Sequence, residues 1–212
     1  MYKVYTYFEP IEREEPSGQQ AMIEHWSASW AKAGWYPMVL GLADAEAHPM
    51  YEEFVESVRR FPTINPADYE LSCYKRWMAV ATKGGGFMSD YDVVNYGFKG
   101  REPESDLCLY EQGYLGGVVP AVVGGTAAGY LNACLCFALC DTEEVTSEAD
   151  NKPHTSDMVV MQKMSHRLFY TVSPVVRQYG AEGWDEAELV HYSHGVTKGT
   201  NRIECMRTAR PI

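Results

Sequence analysis

The sequence contains no cluster of Lys and Arg longer than two residues, and its formal net charge is −11. A nucleic-acid groove needs a local excess of positive charge to displace counterions from phosphates, so nucleic acid as the main partner is set aside. Runs of about 20 apolar residues, the length of a membrane span, are also missing. The longest apolar region, Val118 to Leu139, is interrupted by Pro120, Gly124, Gly125 and Gly129. The start, Met1-Tyr2-Lys3-Val4-Tyr5, lacks the charged-then-apolar layout of a signal peptide. The six cysteines follow no small-domain disulfide framework. They read as buried thiols, and the chain as a cytoplasmic protein without a membrane span. No internal repeat or low-complexity segment is present.

What is there suits one globular domain over 1–212, with 46% apolar and 22% charged residues. Aromatic residues are numerous, 15 Tyr and 5 Trp, and serve either an aromatic core or the stacking of bases and sugars. Alternation in Lys3 to Phe8 predicts a strand, followed by a Pro- and acid-rich loop from Glu9 to Gly18. Met22, Ile23, Trp26 and Trp30 recur at helical spacing over Gln19 to Ala33, and Gly34 ends that helix. A short strand is expected at Pro37 to Gly41, and helices at His48 to Phe61 and Leu71 to Thr82. Gly84-Gly85-Gly86 then breaks the chain before a strand from Phe87 to Val94. Further strands are expected at Leu107 to Glu111, Val118 to Val123 and Leu189 to Tyr192. Helices are expected at Thr126 to Cys140 and His154 to Leu168, with an acidic linker from Thr142 to Pro153 between them. Alternating strands and helices in the first half imply an α/β fold with a mostly parallel sheet flanked by helices.

Asp90-Tyr91-Asp92 is the segment richest in chemistry. Two carboxylates at i and i+2 of a regular strand share a face and repel. A divalent cation between them removes that repulsion, and hard Mg²⁺ or Mn²⁺ prefers such oxygen ligands. The alternative is a solvent-facing Asp-Tyr-Asp at a strand end.

A helix bearing Arg76, the glycine break, Phe87 and then Asp90 and Asp92 resembles the donor-binding core of GT-A glycosyltransferases. It is similar, over roughly Ser72 to Asn95, to the DXD sugar-binding region of capsular-polysaccharide and mannosyl transferases. A second run, His191-Tyr192-Ser193-His194-Gly195-Val196-Thr197-Lys198-Gly199, resembles the His-aromatic-x-Gly-x-x-Lys-Pro run of glycogenin-like and bacterial galactosyl transferases. It has one extra residue before the glycine, and Gly199 stands in place of the proline. The resemblance implies a GT-A domain using Mn²⁺ or Mg²⁺ and a UDP- or GDP-linked sugar. Asp90, Asp92 and His191, or else His194, would hold the metal. His191 is favoured because an aromatic residue follows it. Lys198 would bind the diphosphate, and Arg76, Asp90 and Tyr91 would line the donor site. Thr6 and Tyr7, at the end of the first strand, would meet the base and ribose, although Tyr7 equally suits a core. Residues 1–95 would form the donor half and 96–212 the acceptor half. The acceptor itself, whether glycan, protein or small molecule, is unspecified.

Asp157, in the first turn of a predicted helix, suits a general base that takes the acceptor proton, or simply a helix cap. The Val122 to Gly129 run lacks the signature of a P-loop or of G-x-G-x-x-G. Cys134, Cys136 and Cys140 lack zinc spacing and read as buried thiols. Competing classes are a D-x-D phosphohydrolase, a sugar-nucleotide pyrophosphorylase and a non-catalytic carbohydrate-binding scaffold. The phosphohydrolase is disfavoured by the late position of Asp90, and the pyrophosphorylase by the acidic segment after Phe8.

Overall fold

The computed structural model describes residues 2–10, 16–100, 105–113 and 116–212. In chain order the elements are β1 (Lys3–Tyr7), α1 (Pro16–Lys32), β2 (Tyr36–Leu40), α2 (Leu42–Glu46), α3 (Tyr51–Arg59), α4 (Ala67–Thr82) and β3 (Gly85–Ser89). They continue as β4 (Val93–Asn95), β5 (Leu107–Gln112), β6 (Val118–Thr126), α5 (Ala127–Leu139), α6 (Thr142–Val145), β7 (Ser147–Ala149) and β8 (Lys152–His154). The last are α7 (Asp157–Lys163), β9 (Thr171–Val172), β10 (Val176–Gln178), β11 (Leu189–His191) and α8 (Arg202–Thr208).

The central sheet runs in the order β2-β1-β3-β6-β5-β9. β1 lies parallel to both β2 and β3, and β5 lies parallel to β9, while β6 is antiparallel to β3 and β5. The sheet is therefore mixed, with the parallel part in the first half as the strand–helix alternation requires. A smaller sheet, β10-β11-β4, stands beside it.

Side chains alternate across the strands. Val4 and Phe87 face Trp26 and Trp30 of α1, whereas Tyr5, Tyr7 and Met88 face the layer of α3, α4 and α5. The close fit of β3 against β6 needs glycine at one position above all. Gly85 has φ +81°, and a Cβ there would stand 2.5 Å from the amide nitrogen of Ala127.

Two sequence expectations are corrected. The strand foreseen from Phe87 to Val94 is two strands in different sheets, parted at Asp90. The cause is tertiary. Trp26 donates its indole N–H to Ser89 Oγ at 3.3 Å, and Trp30 donates to the Val93 carbonyl at 3.1 Å. Asn95 N–H meets Ser29 Oγ at 3.1 Å, so α1 holds both sides of the break. The expected linker from Thr142 to Pro153 is ordered as α6 and the β7–β8 hairpin. Asp150 and Asn151, at φ 51° and 57°, form its two-residue turn, a conformation these residue types tolerate. The helix expected from His154 is correspondingly shorter and begins at Asp157. No described helix is long and apolar enough to cross a membrane. The six cysteines are free, three of them buried.

Candidate metal and donor site

Between β3 and β4 the chain makes one tight turn. Asp90 N–H is tied to the Ala121 carbonyl of β6 at 2.8 Å, and Val93 N–H returns to the Asp90 carbonyl at 3.1 Å. The two acids thus occupy the first and third places of a turn. β4 pairs antiparallel with β11, setting His191 opposite Val93, and Tyr192 N–H donates to the Asp92 carbonyl at 2.9 Å. This pairing brings a residue of the chain's tail to the acid pair.

Asp90, Asp92 and His191 each offer one ligand atom, and these atoms all lie within 4.8 Å of one another. His191 Nε2 is 3.4 Å from Asp92 Oδ1. Two carboxylate oxygens and one imidazole nitrogen suit Mn²⁺, and suit Mg²⁺ through the oxygens. Of the two histidines open from sequence, His191 is the one in the cluster. His194 is exposed, with its Nδ1 at 2.9 Å from the Arg202 guanidinium.

Charge around the cluster is heavily paired. Burial alone would lower the pKa of His191, but Asp92 and Glu111 outweigh it and hold the imidazole well above its usual range. Burial would likewise raise Asp92, yet His191 and Arg202 keep it below the ordinary carboxylate value. Asp90 is pushed up by burial against the pull of Arg76, with Asp92 adding repulsion.

Arg76, on α4, pairs with Asp90 and also with Asp157 at 2.7 Å. The same Asp157 oxygen accepts the Trp77 indole N–H at 2.9 Å, and its other oxygen accepts the Met158 amide at 2.7 Å. Capping of α7 is done by Ser156, which accepts from Val159 N–H. Asp157, expected as a base or a cap, is 4% exposed and has its carboxylate committed to Arg76, Trp77 and the Met158 amide.

Thr6 is buried with its hydroxyl unpartnered, and the Tyr7 hydroxyl donates to Glu9 at 3.0 Å. Lys75 binds both oxygens of that Glu9 at 2.9 Å. Tyr91 is half-buried, with Phe8 edge-on at 6.2 Å. Lys198 is exposed and lines a hollow of about 250 Å³ together with Thr197, Thr200, His194 and Arg202. A larger hollow, about 630 Å³, is lined from α5 and the segment around Phe169, and contains none of the cluster residues.

Two residues that contact the cluster, Glu111 and Arg202, escape the sequence reading. Glu111, 1% exposed, places Oε2 at 2.8 Å from His191 Nδ1, and its other oxygen accepts from Gln178 at 3.1 Å. Strict alternation would put Glu111 on the face of Leu107 and Leu109. The β5–β6 register shifts between Leu109 and Glu111, and such bulges re-aim side chains. An acid directly after the apolar run Leu107 to Tyr110 is the available signal. Arg202 donates to Asp92 Oδ2 at 3.0 Å. Its only sequence signal is Asn201, which caps α8 through Glu204 N–H.

Behind Arg76, Glu70 is buried and accepts from Asn65 at 2.8 Å and from Thr63 at 3.3 Å. Burial, with Asp157 adding repulsion and Asn65, Thr63 and Arg76 opposing, raises its pKa from 4.5 to about 7. The folded chain therefore holds a proton that the unfolded chain releases. This contribution is complete below about pH 4.5 and is lost as pH rises through 7. Glu70→Gln keeps both acceptor bonds without the charge. It is expected to raise the melting temperature at pH 8, by roughly 2–3 kcal/mol of stability, and to change little at pH 4.5. Thermal unfolding at the two pH values checks this.

Comparisons with known proteins agree with this architecture. A family described as a domain of unknown function (DUF8765) matches residues 2–102, which include Asp90 and Asp92 but not His191. No curated protein matches the chain by sequence. Among solved structures, a glycosyltransferase involved in the glycosylation of the major capsid of PBCV-1 is 15% identical, with a TM-score of 0.53 over 96% of this chain and 97% of that one. Mouse xyloside xylosyltransferase 1, in its apo form, is 11% identical, with a TM-score of 0.57 over 90% of this chain and 97% of that one. The chain has a GT-A-like α/β fold.

Proposed function

We propose that the chain is a metal-dependent glycosyltransferase, moving a sugar from a UDP- or GDP-linked donor to an acceptor hydroxyl. The convergence of Asp90, Asp92 and His191 carries this reading, because it joins distant parts of the chain into one hard-cation ligand set within 4.8 Å. The likeness in fold to two glycosyltransferases supports it.

Asp90 and Asp92 would supply oxygen ligands and His191 its Nε2, while Glu111 accepts the hydrogen bond from Nδ1–H and fixes the ring. Held there, Mn²⁺ or Mg²⁺ would supply positive charge to balance that of the leaving nucleoside diphosphate. The ammonium of Lys198 serves the same charge from the adjoining hollow. Arg76 orients Asp90, and Asp157 orients Arg76, so both act as positioning residues. Tyr91, beside Phe8, flanks the base. Thr6 and Tyr7 shape the end of β1 where open α/β sheets receive ligands. The ligand set draws on both 1–95 and 96–212, so the two halves build the donor site jointly.

Thermal shift with UDP and GDP, each with and without Mn²⁺, tests the reading. One diphosphate at about 100 times its dissociation constant is expected to raise the melting temperature by roughly 5–10 °C, with Mn²⁺ only. Release of phosphate from model esters without any such shift would point to the D-x-D phosphohydrolase instead. Neither response would point to a scaffold.

A further inference from the structure

Two guanidinium groups meet the acid pair, and they are held very differently. Arg76 is fixed on three sides, by Asp90, by Asp157 and by the Cys73 carbonyl at 3.1 Å, and its side chain is 11% exposed. Arg202 is 22% exposed, and its partners are Asp92 and the exposed His194. Asp92 is therefore shared. One oxygen takes Arg202 at 3.0 Å and the other faces His191 at 3.4 Å.

Arg202 also lines the 250 Å³ hollow, with Lys198, Thr197, Thr200, Gln19 and His194. Among the described residues no Asp or Glu lines it, although the chain carries a net charge of −11. The hollow thus presents two cations, Lys198 and Arg202, directly beside a cluster rich in acids, while its threonine hydroxyls already donate to the Ser193 and Thr197 carbonyls. A guanidinium binds phosphate oxygens with two parallel N–H donors, which an ammonium does not do.

We propose that Arg202 and a divalent cation compete for Asp92, and that the guanidinium so displaced becomes a ligand of the donor's diphosphate. This rests on the metal-dependent reading above and assigns the tail of the chain a binding step beyond Lys198. No covalent bond changes. One ion pair, Arg202 with Asp92, is exchanged for another, Arg202 with a phosphate oxygen. Metal loading and diphosphate capture are thereby linked, since each makes the other's ion pairs available.

The opposed signs of two effects make the idea testable. In the full chain, Mn²⁺ binding is measured by calorimetry with the metal alone, and then UDP and GDP binding is measured at saturating Mn²⁺. Arg202→Gln is expected to tighten Mn²⁺ binding about threefold, the size of a partly exposed ion pair. It is expected to weaken the diphosphate at least tenfold, the size of a charge-assisted hydrogen bond. Arg202→Lys, which keeps one positive charge, falls between wild type and Arg202→Gln in both measurements. If Arg202→Gln weakens both ligands, Arg202 is structural and the proposal is overturned. Tighter Mn²⁺ binding with unchanged diphosphate binding also overturns it, while leaving the metal site standing. Failure of the folded wild type to bind Mn²⁺ removes the metal reading itself, and this proposal with it.

Discussion

Asp92→Asn loses the Mn²⁺-dependent part of nucleoside-diphosphate binding, with metal affinity falling by more than 100-fold. Changes to groups that merely orient metal ligands cost about 10–100-fold, and Asp92 is itself a proposed ligand. Asparagine keeps the shape and one oxygen but not the charge. It also leaves His191 and Arg202, now facing Asp92 at 3.4 Å and 3.0 Å, without their shared anion. Calorimetry with Mn²⁺ alone, then with UDP or GDP, reads the loss. Retained metal dependence in a folded Asp92→Asn chain would sink the site.

Asp157→Ala lowers stability by about 3–5 kcal/mol, because Arg76, though it keeps Asp90, loses its buried partner and Trp77 and the Met158 amide lose their acceptor. Its carboxylate is almost wholly enclosed and serves Arg76, Trp77 and the Met158 amide together. For a chain of this size the melting temperature falls by roughly 6–20 °C. The double variant Arg76→Met, Asp157→Leu recovers part of the loss, because both buried charges leave together and Asp90 keeps partial contact with water. A residue serving only as base for an acceptor would lower turnover and leave unfolding unchanged. The melting curves therefore decide between base and anchor.

Why some of this was legible in the sequence, and some not, follows from the forces involved. Asp90 and Asp92 stood out because two acids flanked by Met88 and Val93 contradict local preference, and such contradictions mark sites. His191 followed from a run of residues whose partner could be named. The parting of β3 from β4 was hidden, because Trp26 and Trp30 impose it from a helix far back in the chain. Glu111 ends a strand in the sequence pattern, and no periodicity announces that a register shift turns it toward His191. Arg202 lay in a tail helix of seven residues, too short for an apolar pattern to reveal. The β7–β8 turn was readable in retrospect, since Asp150-Asn151 is turn chemistry, but the surrounding acids gave it the look of a linker.

The pairing of β4 with β11 also constrains how the protein is made. During synthesis the acid-bearing turn leaves the ribosome long before its imidazole partner, so the Asp90, Asp92 and His191 cluster cannot close until β11 has emerged. The closing strand docks afterwards, and ion capture at the proposed metal site would follow as an event of late maturation. Pulse-labelling hydrogen exchange would register it as protection gained around residues 176–208 after the central sheet is already shielded.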